Sequence, residues 1–199
     1  MKLQARLRRE LVVAAKTFDC ALTHINPTGE NNYPERMVSY YYIGALARAL
    51  APASVLLEIP ITGKRSRRTD NYVDALVFNH RELIVAEFKV GWAQGHWEAI
   101  ARDLERLRGQ VAKEIRTKFY NTSKRARRPW VFLGTDCWRE NVADVWKSGK
   151  PGKRHSLPSA LGKANVHRDY LCVWDDETGP SFDGYYLMWA LLPFEEMSA

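Results

Sequence analysis

Cysteine is scarce in this chain and unsuited to cross-linking. Cys20, Cys137 and Cys172 are odd in number and far apart, which excludes a disulfide framework and a cysteine zinc pair. Reduced thiols in a cytoplasmic protein are the expectation. No apolar run is long enough to span a membrane, so a protein without a membrane partner is expected. The first ten residues, Met1 to Glu10, spread charge among apolar positions and do not place it ahead of an apolar core, unlike a secretory signal. A phosphate-cradling glycine loop, a serine nucleophile elbow, internal repeats and low-complexity tracts are all missing. The five histidines, His24, His80, His96, His155 and His167, show no metal-ligand spacing.

What is present suffices for one sizeable core: 199 residues, 46% of them hydrophobic. One domain over 1–199 is expected. Leu3, Leu7, Leu11, Ala14, Ala15, Phe18 and Leu22 recur at helical spacing and predict an N-terminal amphipathic helix within 1–25, available for core packing or for a homodimer contact. Pro34 suits the first turn of a second helix running to about Leu50, before the Ala51-Pro52 break. Val55 to Thr62 reads as a strand, and Pro60 places it at a sheet edge or at a bulge. Trp97, Ile100, Leu104, Leu107, Val111 and Ile115 predict a long helix out to about Lys118. Pro129 to Gly134 reads as a strand, and Cys137 to Trp146 as a short helix. A C-terminal extension over 136–199 then holds a basic loop, 147–168, and two strands, Tyr170 to Trp174 and Tyr185 to Leu192.

The most informative segment lies between the first strand and the long helix. Tyr72-Val-Asp-Ala-Leu-Val-Phe78 and Leu83-Ile-Val-Ala-Glu-Phe-Lys-Val90 are β-rich runs joined by Asn79 to Glu82, a hairpin pattern that brings Asp74 near Glu87. Side chains alternate across a strand, so Glu87 and Lys89 share one face about 7 Å apart. Two carboxylates are hard oxygen ligands suited to Mg²⁺, which keeps several waters and takes phosphate oxygens as further ligands. The lysine would orient the attacking water or neutralise charge in the transition state. Ionisable groups inside apolar strands are expensive unless paired or metal-bound, which weighs the site reading above a plain Glu87–Lys89 ion pair.

Asp74 followed by Glu87-x-Lys89 on adjacent strands resembles the PD-(D/E)xK nuclease superfamily, which has the restriction-endonuclease-like fold. The resemblance implies an α/β fold with a central mixed β-sheet flanked by helices. Its core order, helix, three strands, helix, strand, fits the elements read over 33–135, with the N-terminal helix and the C-terminal strands as additions. Val73 stands where the name-giving proline would be. The resemblance further implies a Mg²⁺-dependent nuclease, with Mn²⁺ able to substitute, in which Asp74, Glu87 and Lys89 are catalytic and the two acids hold metal. Glu35, on the sheet-facing side of the second helix, matches the place of an extra acidic ligand in many members; a carboxylate favoured by the helix dipole is the competing reading. Glu58, inside the first strand, is a further candidate ligand or an outward-facing strand residue.

The net charge of +7 is clustered. Lys64, Arg65, Arg67 and Arg68 precede the Asp74 strand, and Lys124, Arg125, Arg127 and Arg128 precede the Pro129 strand. Such runs attract phosphodiester backbones without regard to sequence, or serve as a solvated face. Their placement around the acids favours nucleic acid, DNA before RNA. Gln110 would face a nucleic-acid groove, yet no tyrosine follows four residues on, as it does in the recombination-type exonucleases of the superfamily. Restriction, phage defence, recombination and repair are the implied roles. The alternative is a catalytically idle nucleic-acid-binding or assembly subunit of a defence or repair complex, and a third reading is an interaction protein with an acidic partner.

Overall fold

Strand alternation and helical stripes organise the molecule into three layers. The computed structural model describes residues 2–25, 35–60, 72–89, 94–107, 114, 128–150, 157, 161, 166–174 and 184–193. Among these, the elements run α1 (Leu3–Ile25), α2 (Glu35–Ala49), β1 (Ser54–Pro60), β2 (Tyr72–Phe78), β3 (Glu82–Lys89), α3 (Gln94–Arg106), β4 (Arg128–Cys137), α4 (Glu140–Ser148), β5 (His167–Trp174) and β6 (Tyr185–Pro193). The strands form one sheet in the order β1-β2-β3-β4-β6-β5. Only β3 and β4 pair in parallel, with α3 between them in the chain; the other neighbours are antiparallel. The chain is therefore α/β with a mixed sheet, and its described elements include the expected order of helix, three strands, helix and strand. No helix among the described residues is long and apolar enough to cross a membrane.

Each sheet face has its own core. On one, the α1 stripe of Leu3, Leu7, Leu11, Ala14, Ala15 and Phe18 packs with Val38, Tyr42 and Leu46 of α2 over Ala75, Val77, Ile84, Ala86, Phe88 and Phe132. The opposite parity, with Leu76, Leu83, Val85, Val131 and Leu133, meets Trp97, Ile100 and Leu104 of α3 and Trp146 of α4. Period-3.6 stripes on helices and period-2 alternation on strands require this division. Thus α1 packs on the core. Ion pairs hold it there: Glu10 meets Arg48 of α2 at 3.1 Å, and Asp169 of β5 meets Arg8 at 2.9 Å and Lys147 of α4 at 3.0 Å.

Boundaries moved where tertiary pairing overrode local pattern. Cys137, expected to open the short helix, instead ends β4, because its partner in the ladder is Tyr186 of β6. The helix starts at Glu140, after Arg139 in an extended conformation. Pro60 ends β1 at the sheet edge, where a missing N–H leaves no inner ladder bond unmade. The expected α3 residues beyond Leu107, including Val111, Ile115 and Gln110, lie outside the described residues. The same holds for Lys64, Arg65, Arg67, Arg68, Lys124, Arg125 and Arg127, and for most of the basic loop.

Candidate active site

The β2–β3 hairpin is set by one asparagine. Asn79 Oδ1 accepts from the backbone N–H groups of Arg81 at 2.8 Å and Glu82 at 2.9 Å, and its Nδ2 donates to the Leu50 carbonyl at 2.7 Å. This asparagine turn fastens the hairpin to the end of α2 and fixes its register. The ladder then runs from Phe78–Leu83 to Ala75–Ala86. At the next position it gives way to a side chain: Asp74 Oδ2 accepts from the Phe88 N–H at 2.7 Å. Asp74 is thereby held rigidly beside β3, at the end of the sheet where β3 and β4 finish.

Glu87 shares the parity of Leu83 and Val85, so it faces α3, and it is buried to 3% exposure. Its Oε1 accepts from Arg106 Nη2 at 2.5 Å. Arg106 also donates from Nη1 to the Tyr72 carbonyl at 2.6 Å, and its Nε lies 3.5 Å from Asp103 Oδ1. Lys89 Nζ lies 3.4 Å from Asp103 Oδ2. Three acids, Asp74, Glu87 and Asp103, thus stand among two bases, Lys89 and Arg106. Burial first, and then the nearby Asp74 carboxylate, push the Glu87 carboxyl well above its ordinary value, against the opposing pull of Arg106. Among the described residues Arg106 is the counter-charge that lowers Glu87, and Asp103 dilutes it by adding a third acid.

The residues expected from sequence are partly brought together. Asp74 and Glu87 converge, and Lys89 stands on the Glu87 face. Glu58 does not join them: it is exposed, has φ of +50°, and drops out of the β1–β2 ladder at the position opposite Asp74. Among the described residues no group of three His, Cys, Asp or Glu side chains is arranged to hold a metal ion. Glu35 opens α2 and Arg128 opens β4, but their side chains, like that of His96, lie outside the described ones.

Asp103 and Arg106 were missed by sequence reasoning. The signal was present in α3, where Asp103 follows Ile100 by three residues and Arg106 follows Asp103 by three, along the border of the buried stripe. A charged pair so close to an apolar stripe beside an acidic strand marks a side chain aimed back at the sheet.

Chemically, the two juxtaposed carboxyls fit a hard divalent cation. A cation between them would relieve the crowding that raises Glu87, and Asp74 and Glu87 are the oxygen donors Mg²⁺ accepts alongside water and phosphate. Arg106 competes for Glu87 and would have to give way or share. No protein-family model, curated protein or solved structure matches the chain.

Proposed function

We propose that the protein is a metal-dependent hydrolase of phosphodiester bonds with a restriction-endonuclease-like core. Its substrate in this reading is nucleic acid, DNA in preference to RNA, which makes it a Mg²⁺-dependent deoxyribonuclease of the PD-(D/E)xK type. The observation that carries the proposal is the convergence of Asp74 and the buried Glu87, with Lys89 on the same face, where the β2–β3 ladder ends. Mg²⁺ held there would polarise the phosphate and acidify a water. Asp74, fixed by the Phe88 N–H, and Glu87, fixed by β3, supply rigid carboxylates. Lys89, on the Glu87 face, would orient the attacking water and offset negative charge on the phosphate as it builds. Arg106, one face of α3 away, supplies a planar donor able to exchange its carboxylate for a phosphate oxygen. Basic runs before β2 and β4 would hold the strand through its phosphates.

One observation favours the second reading, an idle nucleic-acid-binding subunit: Glu87 already has a cation at 2.5 Å in Arg106. The test separates the two. Supercoiled plasmid, linear duplex and single-stranded DNA are incubated with Mg²⁺, Mn²⁺ or EDTA and with wild type, Asp74→Ala, Glu87→Ala or Lys89→Ala protein. Cutting that needs metal and disappears in all three variants, while DNA retention persists, supports the nuclease. Retention without cutting by wild type supports the subunit, and absence of both sinks the nucleic-acid reading altogether.

A further inference from the structure

Thr135 sits in β4 where an apolar residue would pack as well, yet it carries a buried hydroxyl. The residue is 1% exposed, and Oγ1 has no hydrogen-bond partner among the described residues. A hydroxyl taken out of water without a partner is unfavourable, so its presence there calls for a reason. Direction is settled by its neighbours: Leu133 and Cys137, two residues to either side, both lie in the core beneath α3 and α4. By strand alternation Thr135 faces the same side, which is also the side of Glu87. The backbone at this residue is pinned from the other face, where the Tyr42 hydroxyl lies 2.6 Å from the Thr135 carbonyl.

Register places it at the site. In the parallel β3–β4 ladder Glu87 stands opposite Leu133 and Lys89 opposite Thr135. Strand neighbours in register are about 4.8 Å apart, within reach of one rotamer change of a lysine. Lys89 is 38% exposed along its side chain, and its 3.4 Å approach to Asp103 is loose for a charged hydrogen bond. Asp103 itself is shared with Arg106. By register the Thr135 side chain stands next to the Lys89 stem, and its hydroxyl has lone pairs able to accept from an ammonium.

We infer that Thr135 is a positioning residue for Lys89: its hydroxyl accepts a hydrogen bond from the Lys89 ammonium when substrate draws that group away from Asp103. The inference rests on the nuclease reading. It gives a role to the hydroxyl that β4 carries at the register position facing Lys89, which has no hydrogen-bond partner among the described residues.

The experiment compares wild type, Thr135→Val and Thr135→Ser in Mg²⁺-dependent plasmid cleavage, with kcat, KM and Tm measured for each. Valine keeps the shape and removes the acceptor, so kcat is expected to fall on the order of tenfold with KM unchanged. Tm should hold or rise, since an unpaired hydroxyl is gone, and serine should restore kcat. Full activity in Thr135→Val overturns the inference, as does a loss in both variants that tracks a fall in Tm. A wild type that does not cut removes the nuclease reading and this inference together; a wild type that cuts, with an indifferent Thr135→Val, removes this inference alone.

Discussion

Two buried acids lie at the same end of the sheet, on opposite faces and in opposite company. Asp136, in β4 beneath α1 and α2, is 3% exposed and accepts from the Tyr185 hydroxyl at 2.6 Å within an aromatic shell that includes Phe18 and Trp138. Glu87, beneath α3, is equally buried but stands among Asp74, Asp103, Lys89 and Arg106. A neutral hydroxyl donor serves an acid without adding a charge, as in a structural network. Acids crowded against one another are only partly offset by Arg106 and Lys89, and it is this residual crowding that the proposed metal site would draw on. The contrast extends to the tyrosines: burial and Asp136 hold the Tyr185 hydroxyl well above its ordinary value, so it remains a donor.

The contrast can be broken most sharply by neutralising one acid. Glu87→Gln keeps the shape and should lower cleavage at least about a hundredfold while leaving Tm unchanged or higher, because it relieves the crowding with Asp74. A Glu87→Gln protein that cuts normally would strip the α3 face of its special standing. Asp136→Ala should do the reverse. It leaves the Tyr185 hydroxyl buried without its acceptor and should destabilise by about 3 kcal/mol, read by chemical denaturation, with cleavage per folded molecule retained.

A smaller effect tests the packing on the Asp136 face. A Cβ added at Gly134 would lie 2.8 Å from Phe88 Cδ1 and 2.9 Å from Tyr42 Cδ2, and both rings are already in mutual contact with Phe132. Gly134→Ala should therefore destabilise by about 2 kcal/mol, lowering Tm by roughly 4 to 8 °C in scanning calorimetry. An unshifted Tm would mean that this face yields where the dense ring packing says it cannot.

The smallest expected effect is a slope with pH. Glu87 has an ordinary value of 4.5 and is raised well above it in the folded protein. Between those values the native state holds a proton that the unfolded chain has released, so the Glu87 contribution to stability is greatest below 4.5 and falls as pH rises toward the folded value. Denaturation midpoints over this range should show the decline in wild type and its absence in Glu87→Gln. Saturating Mg²⁺ should flatten the wild-type slope, because it favours the ionised pair. A slope of the same size in Glu87→Gln would assign it to other groups.

Much of this was legible in the chain. The β2–β3 hairpin, the proximity of Asp74 to Glu87, the α1 stripe and the edge position of β1 follow from local patterns: alternation, a turn asparagine, helical spacing and one proline. These depend on residues a few places apart, whose relation the backbone periods dictate. Arg106 and Asp103 were harder, because they enter through a helix whose rotation about its axis decides whether a bordering charge meets solvent or the sheet. Of the two readings of Glu58, a ligand or an outward-facing strand residue, the structure gives the second, because β1 is the edge strand and all but Ile59 of Ser54–Pro60 is exposed.

Composition and periodicity by themselves determined that this chain forms helices and strands around a sheet and that two acids and a lysine share its second hairpin. The tertiary structure decided which strand lies beside which, and through that everything without a local signal. The β4–β6 pairing extends β4 to Cys137 and joins Asp136 to Tyr185 across 49 residues. The parallel β3–β4 register sets Thr135 against Lys89, and the seating of α3 sets Arg106 against Glu87. Such pairings depend on burying two faces at once, a condition that no single segment of the sequence can meet or reveal.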